Sequence, residues 1–205
     1  MYVILALILS LAGSYWIDTL YKLPNVPLMY PEDKIKRAML RKPILIISSI
    51  FFAIYFENVE VPLNIYLIIT SIFLVMITLT DFEQYIIFDK MLIVFAIIGL
   101  TAIYNLNLPL TDRLIAALAG GGFFLLLAIV SKGAIGGGDI KLMFVLGIYF
   151  GIDNLLTICI AGFILSGTMA AILLAVKLKQ RGSYIAYSPY FTLSALYILI
   201  KNCSF

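Results

Sequence analysis

Residues 62–80 read PLNIYLIITSIFLVMITLT, and Asp81 follows them directly. The run contains no charged side chain, and its length lies within the roughly 17–25 residues that an apolar helix needs to cross a bilayer. The stretch therefore predicts a transmembrane helix, with Asp81 as the first charged group at its end. The fold of the whole chain depends on whether other stretches repeat this pattern.

The composition of the chain supports the same class of fold. Hydrophobic residues make up 63% and charged residues 12% of the 205 residues, whereas a soluble domain carries about a quarter charged residues. Because so little polar surface cannot cover a water-soluble globule, most of the chain must face lipid. Apolar runs occur at 1–21, 43–58, 62–80, 90–108, 112–130, 140–151, 154–176 and 184–200. We predict an all-α transmembrane bundle of about eight spans, forming one domain over residues 1–205.

The basic residues are divided unevenly between the segments that connect these runs. Of the 14 basic residues, all except Arg113 and Lys201 lie in the connecting segments 22–42, 81–90, 131–141 and 177–182. If the spans alternate, these segments share one side, which the positive-inside rule assigns to the cytoplasm. We therefore expect both termini outside, a short basic cytoplasmic loop at 22–42, and a multi-pass protein of the cell (inner or plasma) membrane.

The residue types narrow the possible chemistry. The chain has no histidine, which excludes histidine-based metal sites and Ser/His or Cys/His catalysis. The two cysteines, Cys159 and Cys203, are far apart and form no CxxC pair, so neither a zinc site nor a disulfide framework is indicated. We expect no metal and no cofactor.

Five of the 11 acidic residues lie within or at the ends of predicted spans: Asp18, Asp81, Glu83, Asp89 and Asp139. A charge at membrane depth costs about 2.5–3.5 kcal/mol, so acids there are candidates for function. The loop 80–89 holds three of them. The alternatives without a catalytic role are that these acids mark the membrane boundary, or that Asp89 caps the following helix.

The loop 131–142 carries three consecutive glycines, Gly136 to Gly138, directly before Asp139. Glycines allow a positive φ and a close approach of another segment. A glycine-rich turn before a helix also suits phosphate, but an acid at the helix entrance repels it and no P-loop Lys-Ser/Thr pair follows. A structural tight turn capped by Asp139 remains an alternative.

Two carboxylates at one site have a specific chemistry. Like charges a few ångströms apart cannot both ionise, so one keeps its proton while the other acts as a base. One aspartate then activates water and its partner polarises a scissile carbonyl, without metal or histidine.

The spacing of these residues resembles a known family. Asp81 with Asp89 eight residues later, followed by Gly136-x-Gly138-Asp139 and the Lys141-Leu142 pair, is similar to the type IV prepilin peptidases, a branch of the GxGD aspartyl proteases. Two further stretches, Gly13-Ser14 with Leu23-Pro24 and Ser188-Pro189-Tyr190-Phe191, resemble the first-span and last-span signatures of that family.

The resemblance implies an aspartyl endopeptidase that removes leader peptides at the cytoplasmic face of the membrane. It implies that Asp81 and Asp139 are catalytic and that Asp89, Gly136, Gly138 and Lys141 support them. It also implies a prepilin or pseudopilin precursor as the partner, within the lipid bilayer and without nucleic acid. We further hypothesise that Glu83 and Asp89 attract the basic leader of the substrate.

The sequence departs from the family pattern at three points. Phe88 stands where the family has a proline before the second aspartate, and Lys22 stands for an arginine. The loop 22–42 lacks the CxxC-bearing insertion that is linked to N-methylation of the new terminus, so the resemblance does not carry methyltransferase activity over. Two other classes stay open on the residues alone: an ion-coupled small-molecule transporter and a non-catalytic membrane assembly subunit.

Overall fold

The computed structural model describes residues 2–24, 28–30, 38–133, 135–177 and 186–204, and within these ranges the chain is helical with no strand. The helices are α1 (Tyr2–Leu20), α2 (Arg41–Tyr55), α3 (Leu63–Gln84), α4 (Asp89–Asn105), α5 (Leu110–Val130), α6 (Gly137–Ala175) and α7 (Ser188–Asn202). The all-α class predicted from the apolar runs is confirmed.

Four of these helices are long and apolar enough to cross a membrane: α1, α3, α5 and α6. The remaining described helices have 15 to 17 residues, which is at or below the lower limit for a perpendicular span. The count of eight spans and the outward placement of the termini stay predictions.

The sixth and seventh predicted spans, 140–151 and 154–176, correspond to two helical segments that meet at a kink within α6. Gly151 interrupts α6 with φ 68° and ψ −177°, a conformation that glycine adopts without steric cost. A Cβ at Gly151 would lie 2.2 Å from a carboxylate oxygen of Asp112 at the start of α5. The break expected between two helices is therefore a glycine kink packed against α5 rather than a loop.

The end of α3 differs from the sequence-based expectation. Asp81 and Glu83 were predicted in a loop, but the helix continues through Gln84. It ends at Tyr85, which adopts the left-handed conformation with φ 55° and donates its N–H to the Asp81 carbonyl at 2.9 Å. A polar side chain does not stop a helix whose backbone bonds continue, so both acids lie on its last turn.

α3 is the central helix of the bundle. Of its most apolar 18 residues 67% are buried inside the bundle, against 33% for the corresponding stretches of α1 and α5. It contacts α1, α2, α4 and α7. The ring of Phe95 on α4 stacks between Phe73 of α3 and Tyr149 of α6, with centroid distances of 5.3 and 4.3 Å.

Small residues bring α5 and α6 into close contact. A Cβ at Gly147 would lie 2.4 Å from the backbone of Ala117, and one at Gly120 would lie 3.2 Å from the Met143 carbonyl. Close approach through small residues is how helices associate in lipid, where burial against lipid tails gives no driving force. This contact joins α5 to α6, and α6, which carries Asp139, in turn packs against α4 and α7.

Candidate active site

Asp81 is buried at the end of α3, where it meets the first residue of α7. Its side chain is 6% exposed, and its Oδ2 accepts a hydrogen bond of 2.5 Å from the Ser188 hydroxyl. The Ser188 backbone N–H also bonds the carboxylate. Because Ser188 begins α7, the positive end of that helix faces Asp81 and favours a negative charge there.

A second contact between α3 and α7 lies one helical turn deeper. The hydroxyls of Thr78 and Thr192 are 2.6 Å apart, and each also bonds a carbonyl of its own helix. This pair fixes the rotation of α7 relative to α3. It therefore supports the contact between Ser188 and Asp81.

Asp139 lies in the first turn of α6 and is 9% exposed. Its N–H donates to the Gly136 carbonyl at 3.1 Å, and the Gly136 backbone also bonds its carboxylate. The two aspartates lie near each other, since the negative charge of Asp81 acts on Asp139. The structure thus brings together two residues that are 58 positions apart in the sequence.

The glycine turn serves close approach and not a positive φ. Gly136 has φ −70°, and the positive φ values in this loop belong to Lys132 at 53° and Gly133 at 88°. A Cβ at Gly138 would lie 3.0 Å from the Cβ of Ile87, in the loop that follows α3. Gly138 therefore lets the loop that follows α3 pack against the turn that precedes Asp139.

Asp89 and Lys141 form an ion pair between α4 and α6. The Lys141 ammonium lies 2.7 and 2.8 Å from the two Asp89 oxygens. Asp89 does not cap its helix, because it is the first helical residue and no side chain caps α4. Both partners are more than half exposed, and pairs of this kind contribute about 0–1 kcal/mol.

Glu83 and Asp18 do not join the two buried aspartates. Glu83 is 5% exposed and is bound by Arg41, which also binds Asp18. Because the Glu83 carboxylate is enclosed and already paired with Arg41, it is not placed to bind a basic leader directly. Asp89, in contrast, is accessible, but it is paired with Lys141.

An apolar cavity of about 270 Å³ adjoins Asp139, between α5, α6 and α7. Its walls are formed mostly by aromatic and small side chains: Phe124, Ile135, Phe163, Ser166, Gly167, Ala170, Tyr187 and Phe191. An engineered apolar cavity of about 150 Å³ binds benzene, so this cavity has room for a large aliphatic or aromatic side chain. A Cβ at Gly167 would meet no atom within 4 Å.

The site therefore combines two buried carboxylates with an apolar cavity. This arrangement suits activation of a water molecule by a carboxylate beside a bound apolar chain. Among the described residues, no three acidic or cysteine side chains converge as a metal-binding group would. Sequence reasoning gave Ser188 no chemical role, although the Ser-Pro stretch that begins α7 was visible.

Comparison with known proteins assigns a family. The sequence profile of the type IV leader peptidase family matches residues 68–175, more than half of the chain, including Asp81 and Asp139. The matched region spans α4, α5, α6 and most of α3, and it excludes α1, α2 and α7. No curated protein and no solved structure gives a significant match. The chain therefore belongs to the type IV leader peptidase family.

Proposed function

We propose that this protein is an intramembrane aspartyl endopeptidase that removes leader peptides from type IV prepilin-like precursors at the cytoplasmic face of the cell membrane. The observation that carries the proposal is the proximity of Asp81 and Asp139, two buried carboxylates from distant parts of the chain, at one end of the bundle. Family membership indicates a peptidase. The aspartic mechanism and the substrate are our inference.

In the proposed reaction the two carboxylates share one proton. The ionised partner removes a proton from water, whose oxygen attacks the scissile carbonyl carbon, while the protonated partner donates a hydrogen bond to the carbonyl oxygen. The tetrahedral intermediate then collapses: the carboxyl group that took the proton from water gives it to the amide nitrogen, the C–N bond breaks, and the amine leaves. Asp81 suits the ionised role, because the hydroxyl and the N–H of Ser188 both donate to it.

The apolar cavity supports the assignment of the substrate class. Asp139 forms part of its wall, so a peptide bond held at the aspartates places an adjoining side chain in the cavity. The aromatic lining favours an apolar side chain at that position. This fits a precursor in which the cleavage site borders a long apolar segment.

Co-expression with a prepilin that carries a basic leader tests the proposal. We expect leader removal by the wild type and its loss in Asp81→Asn and in Asp139→Asn, each measured per folded protein in the membrane. Asp153→Asn is the matched control, because Asp153 is an exposed acid on the same helix as Asp139. Normal processing by either asparagine variant at the aspartates, or loss in the control alone, contradicts the proposed pair.

A further inference from the structure

A buried ionic cluster lies on the opposite side of the last turn of α3 from Ser188. Arg41, the first residue of α2, is 2% exposed. One guanidinium nitrogen lies 2.9 Å from a Glu83 carboxylate oxygen, and another bonds the Asp18 carboxylate on α1. One arginine therefore links the ends of three helices. We call these residues, together with Tyr21, the Arg41 cluster.

Tyr21 closes the cluster. The Arg41 guanidinium lies 5.6 Å from the centre of the Tyr21 ring, within the range of a cation–π contact. The Tyr21 hydroxyl is buried close to the Glu83 carboxylate, whose charge acts on it. The same ring packs against Phe88 at 5.4 Å, directly before Asp89.

The cluster holds the helical turn that carries Asp81. Glu83 and Asp81 are two residues apart, so their side chains leave α3 in different directions. Asp81 is held by Ser188 of α7, and Glu83 is held by Arg41 from the other side. The neighbouring Gln84 side chain exchanges two hydrogen bonds with the Tyr30 backbone, at 2.9 and 3.1 Å. The turn is therefore held on several sides.

Stability alone is a weak reason for such a cluster. A buried ion pair seldom stabilises a protein more than apolar residues of similar volume would, whereas its directed hydrogen bonds fix geometry. We propose that Arg41 is a positioning residue, which holds the last turn of α3 so that Asp81 faces Asp139. This inference rests on the proposed peptidase function and assigns a role within it to a residue outside the matched family region.

The test compares kcat and KM of purified variants per folded molecule, on a prepilin-like peptide. We expect Arg41→Met to lower kcat roughly 10- to 100-fold, as a misplaced catalytic group does, with KM changed less than about twofold. Arg41→Lys keeps the charge but loses the planar guanidinium, which bonds two carboxylates through two different nitrogens. We therefore expect an intermediate kcat. Arg113→Met is the control, because Arg113 is a second buried arginine, 4% exposed, on α5.

Equal kcat losses in Arg41→Met and Arg113→Met, or no loss in Arg41→Met, overturn the inference. If Arg41→Met yields no folded protein, the kcat of Arg41→Lys tests the inference. A kcat of Arg41→Lys equal to that of the wild type refutes a positioning role, and a lowered kcat with an unchanged KM supports it. An inactive wild type refutes the proposed function itself. An active wild type with unaffected Arg41 variants refutes only the role of Arg41.

Discussion

Removal of the Ser188 hydroxyl is the most direct perturbation of the site that leaves both aspartates in place. Ser188 is fully buried, and its hydroxyl donates the 2.5 Å hydrogen bond to Asp81. A hydrogen bond to a charged group contributes about 1.5–3 kcal/mol, and each 1.36 kcal/mol of barrier changes a rate about tenfold. If the bond orients Asp81 in the transition state, Ser188→Ala lowers kcat by about 10- to 150-fold.

The assay is leader cleavage by purified protein under single-turnover conditions, with thermal unfolding measured on the same samples. Ser194→Ala is the matched control: Ser194 lies on the same helix, is 3% exposed, and donates to the Tyr190 carbonyl of that helix at 2.8 Å. We expect the control to cleave at the wild-type rate. A Ser188→Ala rate within about twofold of the wild type, or an equal loss in the control, refutes the view that this hydrogen bond orients Asp81.

Two further predictions concern glycines. Gly167→Leu fills the cavity beside Asp139, so we expect it to block cleavage without lowering the unfolding temperature. Gly122→Leu also points into open space, on α5, and we expect it to leave cleavage intact. The reverse result places the substrate instead in a second cavity, of about 580 Å³, whose walls include Gly122 and Asp89. Gly147→Ala drives a methyl group into the Ala117 backbone, and we expect a loss of about 1–3 kcal/mol of stability. Thermal unfolding measures this loss, with Gly122→Ala as the control, for which we expect no loss of stability.

The helix positions could be predicted because lipid imposes a simple rule. A chain in a bilayer must satisfy its backbone hydrogen bonds internally, so each long apolar run forms a helix. The ends of the helices follow local contacts that apolarity does not reveal. α3 continues past Asp81 because its backbone hydrogen bonds are unbroken until Tyr85. In α6 the predicted break between two spans is a kink at the single residue Gly151.

The candidate aspartates could be selected from the sequence, but most of their partners could not. Charge is costly inside apolar runs, which reduces the 11 acids to five candidates. The family resemblance of the spacing then selects Asp81 and Asp139 among them. Ser188 contacts Asp81 across 107 positions of sequence, and a serine before a proline carries no signal of that contact. Arg41 was counted with the basic residues of a cytoplasmic loop, and only its burial distinguishes it.

The relative position of the two aspartates depends on helices that carry neither of them. α4 and α7 each pack against both α3 and α6. Their contacts near the aspartates differ in strength. On the α7 side, Ser188 and Asp81 are buried and hydrogen-bonded. On the α4 side, the ion pair of Asp89 and Lys141 is exposed and contributes little. Near the aspartates the α4 side is therefore held more weakly than the α7 side, whereas deeper in the bundle the buried stack of Phe73, Phe95 and Tyr149 holds α3, α4 and α6 together.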